Sequence, residues 1–415
     1  MPAEALEAGV KKLWRSPTLR SVMVYGLSGL GFSGANLVLA RVLPTAEYGL
    51  FTLIIALVNL GYALAPVGVD GIVQRRHLDA GPRLLWRTLT ASFLVGGILV
   101  VVAELGYHMS SGMLAALFLS TVAGGAMAVA GAQFQSERRY AISLALTQSP
   151  NLMLLVAALA VVAFNSREAW LPIVISTLGF LLAATYGWWV LFRERPTKQG
   201  HGDWFPWGEA LSIAGLNAAG LVLLQLDRLI IPQVLPVRDL ATYGVLAAIV
   251  GSLFRVLQMG VGYTLVPRLR AAPTVDVRRR LITHEAQLVG AIVVAGSVVI
   301  WFVTPLVERW FLQGKYHLGA ALMLAALVSG VAKIINAFTK ATVTALASPA
   351  EVSVVNLLGW ASVALAVPAA VFGARWGLVG VIYGVSLGWL TRAVTALYIT
   401  LRHLRRSTPV PAAAH

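Results

Sequence analysis

Residues 352–373 read VSVVNLLGWASVALAVPAAVFG, a run without a single Asp, Glu, Lys or Arg. A helix rises about 1.5 Å per residue, so roughly 20 such residues cross the hydrocarbon layer of a bilayer. A barrel strand needs about half that length and alternates in polarity, which this run does not. The stretch therefore predicts a membrane-spanning helix. Outward from it, comparable runs fall at 377–400 and, toward the N-terminus, at 318–340, 283–305, 243–265 and 209–231. Six more lie at 21–41, 48–69, 84–105, 111–134, 141–163 and 169–192. The expected fold is an all-α integral membrane protein of about twelve transmembrane helices in two six-helix lobes.

Composition agrees. Of 415 residues 58% are hydrophobic and 12% charged, and the mean hydropathy is +0.79, which excludes an ordinary soluble domain. The spans leave only short connections, so the chain divides into an N-terminal segment 1–20, a lobe 21–192, a connection 193–208, a lobe 209–400 and a tail 401–415. The absence of Cys excludes disulfides and thiolate metal sites. The 7 His are scattered, and no cofactor is expected. Leu6, Val10, Leu13 and Trp14 against Lys11, Lys12 and Arg15 read either as a short helix on the inner leaflet or as a polar tail. Trp204 and Trp207 read as interfacial anchors near the join between lobes.

The net charge of +15 does not form a nucleic-acid stripe, because Lys and Arg recur in small clusters between apolar runs. With the N-terminus inside, inner segments hold 22 cations and outer loops 6, Arg41, Arg167, Arg238, Arg309, Lys315 and Arg375. The positive-inside rule then puts both termini in the cytoplasm. An internal repeat supports two lobes of like orientation. Val42-Leu43-Pro44 followed by Tyr48-Gly49 returns as Val234-Leu235-Pro236 followed by Tyr243-Gly244, three residues longer. An even number of spans per lobe makes such repeats parallel.

Gly29-Leu30-Gly31-Phe32-Ser33-Gly34 matches a dinucleotide fingerprint literally, but it sits inside an apolar run with no strand before it. Gly26, Gly29 and Ser33, and Gly31 and Ala35, read better as small-residue faces for close helix packing. His284-Glu285 lacks the second His of a zinc-protease helix, and no phosphate-binding loop is present.

The informative residues are the cations inside spans, since a central Arg or Lys costs about 2.5–3.5 kcal/mol on insertion scales and usually faces a cavity. Four qualify, Arg228, Arg255, Lys333 and Arg392, all in the second lobe. By helical period Arg255 shares a face with Gly251, Ser252, Gln258 and Gly262, and Lys333 with Ser329, Asn336 and Lys340. Such stripes suit a wet lumen. The plainer alternative is that Lys333 and Arg392 snorkel to the inner surface. Asp227 and Arg228 are adjacent, point to different sides of a helix, and read as structural contacts or part of an outer gate.

Ala40-Arg41-Val42-Leu43-Pro44-Thr45-Ala46-Glu47-Tyr48-Gly49, with Asp70 beyond Gly68, resembles the opening of O-antigen and exopolysaccharide flippases. Leu226-Asp227-Arg228-Leu229-Ile230 with Tyr243-Gly244 resembles their seventh and eighth spans, Gly314-Lys315-Tyr316 their approach to the tenth, and Gly377 with Gly380 that to the last. Pro232 departs from the Gly common in that family after the Asp-Arg pair. The resemblance is to the polysaccharide transporters of the multidrug/oligosaccharidyl-lipid/polysaccharide exporter superfamily. It implies alternating access and a polyprenyl-pyrophosphate-linked oligosaccharide as cargo. It also implies a bacterial inner-membrane location, a lipopolysaccharide or exopolysaccharide pathway, and polysaccharide assembly proteins and membrane lipids as partners.

On this reading Arg255, Lys333 and Arg392 receive the pyrophosphate, while Ser252, Gln258, Ser329 and Asn336 line the lumen. No enzymatic activity is expected. The rivals are a cation-coupled drug exporter, which would carry more acid in its first lobe than Asp70 and Glu104, and a polysaccharide polymerase or ligase, which would carry a larger outer loop. A non-transporting scaffold would show no polar stripe.

Overall fold

The computed structural model describes residues 17–76, 78, 80–194 and 205–406. Trp14, Trp204 and the terminal residues 1–16 and 407–415 lie outside the described residues. Within them every regular element is helical. The first unit holds α1 (Pro17–Val42), α2 (Thr45–Leu64), a short α3 (Val69–Arg76), α4 (Pro82–Tyr107), α5 (Ser111–Ser136), α6 (Tyr140–Ala163) and α7 (Trp170–Glu194). After it come α8 (Trp207–Val234), α9 (Val237–Ala271), α10 (Val275–Leu306), α11 (Ala320–Leu346), α12 (Pro349–Gly373) and α13 (Gly377–Arg406). Among the described residues nine stretches are long and apolar enough to cross a bilayer, the last of them, Ala350–Leu404, running through α12 and α13. Together with α1 and α9 these make the twelve spans that hydropathy predicts.

The helix ends follow local chemistry. Both copies of the repeat become the same junction: Pro44 precedes α2 and Pro236 precedes α9, each with extended ψ. Proline cannot extend the preceding helix but suits the start of the next. The three extra residues of the second copy join the first turns of α9 and amount to a little under one helical turn. Tyr48 and Tyr243 are both buried. A capping box of Ser348 and Glu351, followed by Pro349 in the first turn, opens α12, and the Thr274 hydroxyl accepts from the Val277 N–H to open α10.

Several helices run past their expected spans, but the second ends early. The second span ends at Leu64 rather than 69, because Val67 and Gly68 take φ of 48° and 79°, breaking the helix before α3. Only Gly adopts that conformation without strain. At Gly68 a side chain would also strike the Ala210 carbonyl, 2.0 Å from an ideal Cβ.

The chain divides into two compact units at Ala218/Ala219, inside α8 and past the connection 193–208. The first turns of α8 belong with the first unit because they are clamped to α3. Glu209 receives Arg75 at 3.1 Å and Arg76 at 2.7 Å, and Gly71 leaves room for Ile213.

In the first unit α5 is the hub, packing on α2, α3, α4, α6 and α7. Small residues permit this. Ideal Cβ atoms on Gly124 and Gly125 would lie 2.3 Å from Tyr62 Cβ and 2.1 Å from Ser92 Oγ. Among the described residues nothing lies within 4 Å of an ideal Cβ on Gly31, so none of them makes the close approach expected there. In α6, Pro150 removes the N–H that would bond the Leu146 carbonyl, and the Ser149 hydroxyl takes that carbonyl at 2.7 Å.

In the second unit α11 packs on α9 and α13, and α13 on α12. The α12–α13 pair is backbone against backbone: an ideal Cβ on Gly384 would sit 2.4 Å from Ala370 N, and one on Gly380 2.0 Å from the Gly373 carbonyl. Arg270 donates to the Thr344 carbonyl at 3.1 Å and Arg279 to the Leu404 carbonyl at 2.9 Å, closing the ends of α11 and α13.

Faces left unburied are apolar, as lipid requires. Phe93, Leu94, Ile98, Val101 and Leu105 form such a face on α4, and Val294, Val298, Val299 and Phe302 on α10. Exposed Trp86, Trp170, Trp207, Trp310 and Trp376 lie toward helix ends, where aromatic belts meet the membrane surface.

Candidate functional site

Within the second unit the polar residues gather around a cavity of about 90 Å³. Gln225 and Arg228 come from α8, Tyr243 and Gln258 from α9, and Ser329 and Lys333 from α11. Gly330 sets the spacing. Its missing side chain admits the Phe254 ring, whose Cδ2 lies 2.4 Å from an ideal Cβ, so α9 and α11 approach beside the cavity.

Asp227 anchors the wall and is fully buried. Its Oδ2 accepts from the Tyr243 hydroxyl at 2.8 Å and lies 3.4 Å from Lys333 Nζ. Its Oδ1 has no hydrogen-bond partner among the described residues. Arg228 turns the other way, as adjacency on a helix requires, and its Nη1 donates to Gln225 at 3.3 Å, one turn earlier. Arg228, Lys333 and Asp227 leave one positive charge in excess.

The remaining predicted residues are placed as follows. Ser329 and Asn336 share a face of α11 and are 4% and 6% exposed. Ser329 Oγ and Asn336 Oδ1 have no partner among the described residues, whereas most buried polar atoms are bonded. Arg392 is only 2% exposed, so it does not reach the surface as a snorkelling side chain would. It lies instead against Gly220 and Gly359, whose ideal Cβ positions are 2.5 Å from Nη1 and 3.5 Å from Nε, and it does not line the cavity of Lys333. Its Nη2 has no partner among the described residues. Ser252 and Arg255 fall on α9, between Gly251 and Gln258 of the cavity, but their side chains lie outside the described residues.

Tyr243 and Gln225 were not singled out for this site by the sequence. Tyr243 carried a signal nonetheless, as the tyrosine of the internal repeat. Among the described residues no three His, Cys, Asp or Glu side chains gather as metal ligands.

Residues 38–271, more than half of the chain, match the family described as polysaccharide biosynthesis protein. The chain belongs to that family. No curated protein sequence matches this polysaccharide biosynthesis protein significantly. Among solved structures, an inward-facing multidrug resistance MATE family transporter of the MOP superfamily is similar at a TM-score of 0.66 and 11% identity, over 93% of this chain and 96% of that one. A MATE transporter in complex with MaL6 aligns at 0.58 and 13%, over 94% and 95%. A MOP superfamily transporter from Pyrococcus furiosus, described by the reverse polarity of its binding pocket, aligns at 0.55 and 12%, over 96% and 98%. At these identities the likeness establishes the fold alone, that of a multi-pass membrane protein with twelve transmembrane helices in two lobes.

Proposed function

We propose that this polysaccharide biosynthesis protein flips a polyprenyl-pyrophosphate-linked oligosaccharide across the bacterial cytoplasmic membrane by alternating access, for lipopolysaccharide or exopolysaccharide assembly. The observation that carries the reading is the cationic cavity of the second unit, in a member of this family with an exporter's fold. Lys333 and Arg228 outweigh Asp227 there, which favours an anionic cargo and gives a coupling cation of the rival drug-exporter reading no net negative site in this cavity. The pyrophosphate carries about two negative charges, and a potential negative inside favours its outward movement by roughly 2.3 kcal/mol per charge per 100 mV.

Arg255, Lys333 and Arg392 are the proposed phosphate-binding cations, with Ser252, Gln258, Ser329 and Asn336 as polar lumen groups. Guanidinium offers a forked donor pair suited to phosphate, so Arg255→Lys should lose more export than its retained charge implies, and Arg255→Gln more still. The measurement is surface polysaccharide in a deletion strain complemented with each variant, alongside membrane abundance. Full export by an abundant Arg255→Gln protein would remove Arg255 from the mechanism. Both termini are proposed to be cytoplasmic, on the asymmetry of 22 cations against 6. A periplasm-active reporter that works when fused after residue 405 would overturn that.

A further inference from the structure

Lys333 stands between two claims on its charge. Behind it lies Asp227, and before it the cavity it lines. The 3.4 Å separation from Asp227 Oδ2 is longer than the roughly 2.7–2.9 Å of a fully engaged ammonium–carboxylate bond. An ammonium also has three donors and Asp227 occupies one of them, so Lys333 can serve a second acceptor. Asp227 itself is held from the other side by the Tyr243 hydroxyl. Its second oxygen has no partner among the described residues, and within that set the carboxylate's position rests on Tyr243 and Lys333.

We propose that Asp227 is the resting counter-anion of Lys333, and that a phosphate entering the cavity takes Lys333 over from it. The inference rests on the phosphate reading of this cavity and gives Asp227 a role in specificity. With the cavity empty, Asp227 cancels one of the two positive charges, those of Lys333 and Arg228, that line the cavity among the described residues. A singly charged anion meets that remaining charge but also the carboxylate behind it. A pyrophosphate carries enough charge to engage Lys333 and Arg228 together and to outbid a single carboxylate. The contest therefore lowers the affinity of every anion for Lys333, and the ligand that still binds is one that engages Lys333 and Arg228 together, as a pyrophosphate-bearing lipid can and a singly charged phospholipid cannot. The other polar groups lining the cavity among the described residues are Gln225, Arg228, Tyr243, Gln258 and Ser329, and Arg255, which the phosphate reading places in the lumen, adds a further cation.

The test is a double-mutant cycle in the full-length protein in nanodiscs of zwitterionic lipid, titrated with inorganic pyrophosphate and with a singly charged phosphodiester at fixed ionic strength. Asp227→Asn should tighten pyrophosphate binding by about tenfold and the phosphodiester by no more than that, each gaining through Lys333; in a Lys333→Gln background the same substitution should change affinity by less than about twofold. An equal effect in both backgrounds would mean simple repulsion at a distance and would overturn the proposal, as would weaker binding in Asp227→Asn. If Asp227→Asn does not fold, Tyr243→Phe frees an acceptor site on the carboxylate, strengthens its hold on Lys333 and should weaken pyrophosphate binding several-fold; unchanged affinity refutes the contest. Binding by the natural protein that Asp227→Asn leaves unaltered sinks this inference alone. Absence of binding in every variant sinks the phosphate reading with it.

Discussion

Gly384→Ala is the sharpest test of how the second unit is held together. The new Cβ would lie 2.4 Å from Ala370 N and 2.5 Å from both Ala369 C and Ala370 Cα. Comfortable heavy-atom contacts are about 3.5–4.0 Å, so α13 must withdraw from α12 by roughly 1 Å or more, with no flexible side chain able to yield instead. Gly380 and Gly388 lie one turn to either side and make the same kind of contact, with the Gly373 carbonyl at 2.0 Å and Ala366 Cβ at 2.7 Å from their ideal Cβ positions. The displacement is therefore shared over three turns.

Overpacking costs about 1–3 kcal/mol, and a site with only backbone to push against belongs at the upper end. Alanine's helix propensity returns about 1 kcal/mol, leaving a net loss near 2 kcal/mol. Gly290→Ala on α10 is the control, since nothing among the described residues lies within 4 Å of its Cβ position and only the propensity gain remains. The two variants should differ by roughly 3 kcal/mol, or on the order of 6–12 °C in thermal midpoint for a unit of this size. Thermal unfolding of both in one detergent decides the matter. A Gly384→Ala protein melting at or above Gly290→Ala would refute the claim that backbone contact holds α12 to α13.

Gly330→Ala should push Phe254 from its seat and reduce surface polysaccharide in complemented cells, while adding Phe254→Leu should restore part of it, because the obstacle is a side chain. Arg392→Met should leave the thermal midpoint unchanged or raised, since a buried guanidinium short of partners is often no more stabilising than an apolar group of similar volume; lost export at normal abundance would then assign Arg392 to transport, and full export would remove it. Glu209→Gln should cost less than about 1 kcal/mol in thermal unfolding and show reduced sensitivity to salt, as expected of a solvent-accessible ion pair.

The spans were legible because hydropathy and length are local properties: 111–134, 141–163 and 352–373 differ from α5, α6 and α12 by only a few residues. The break after Leu64 was not, since Pro66, Val67 and Gly68 are apolar enough to extend a hydropathy run and only the backbone angles reveal the turn. The division within α8 was hidden for another reason. It depends on Glu209 reaching Arg75 and Arg76 across more than 130 residues, and no composition shift marks it.

In the site, the polar face of α11 followed from helical period alone. The meeting of Lys333 with Asp227, 106 residues apart, joins a side chain of α11 to one of α8 and has no local signature. Arg392 illustrates the same limit. Its charge within a span is visible in the sequence, but its burial comes from two distant glycines.

The arginines at the ends of α11 and α13 carry a consequence for how the chain could ever be turned around. Arg270 and Arg279 count among the cations that the sequence assigns to the inner face, and each also occupies a terminal carbonyl. On the proposed orientation, the cations that orient the chain during insertion become fastenings once it has folded. Deleting them to invert the topology would weaken the orienting signal and at the same time fray two helices, so a misassembled product would not by itself report orientation. Conversely, a correctly inserted chain gains a brake against later reorientation, because moving either guanidinium across the bilayer would require unfastening a helix end as well as dehydrating a charge.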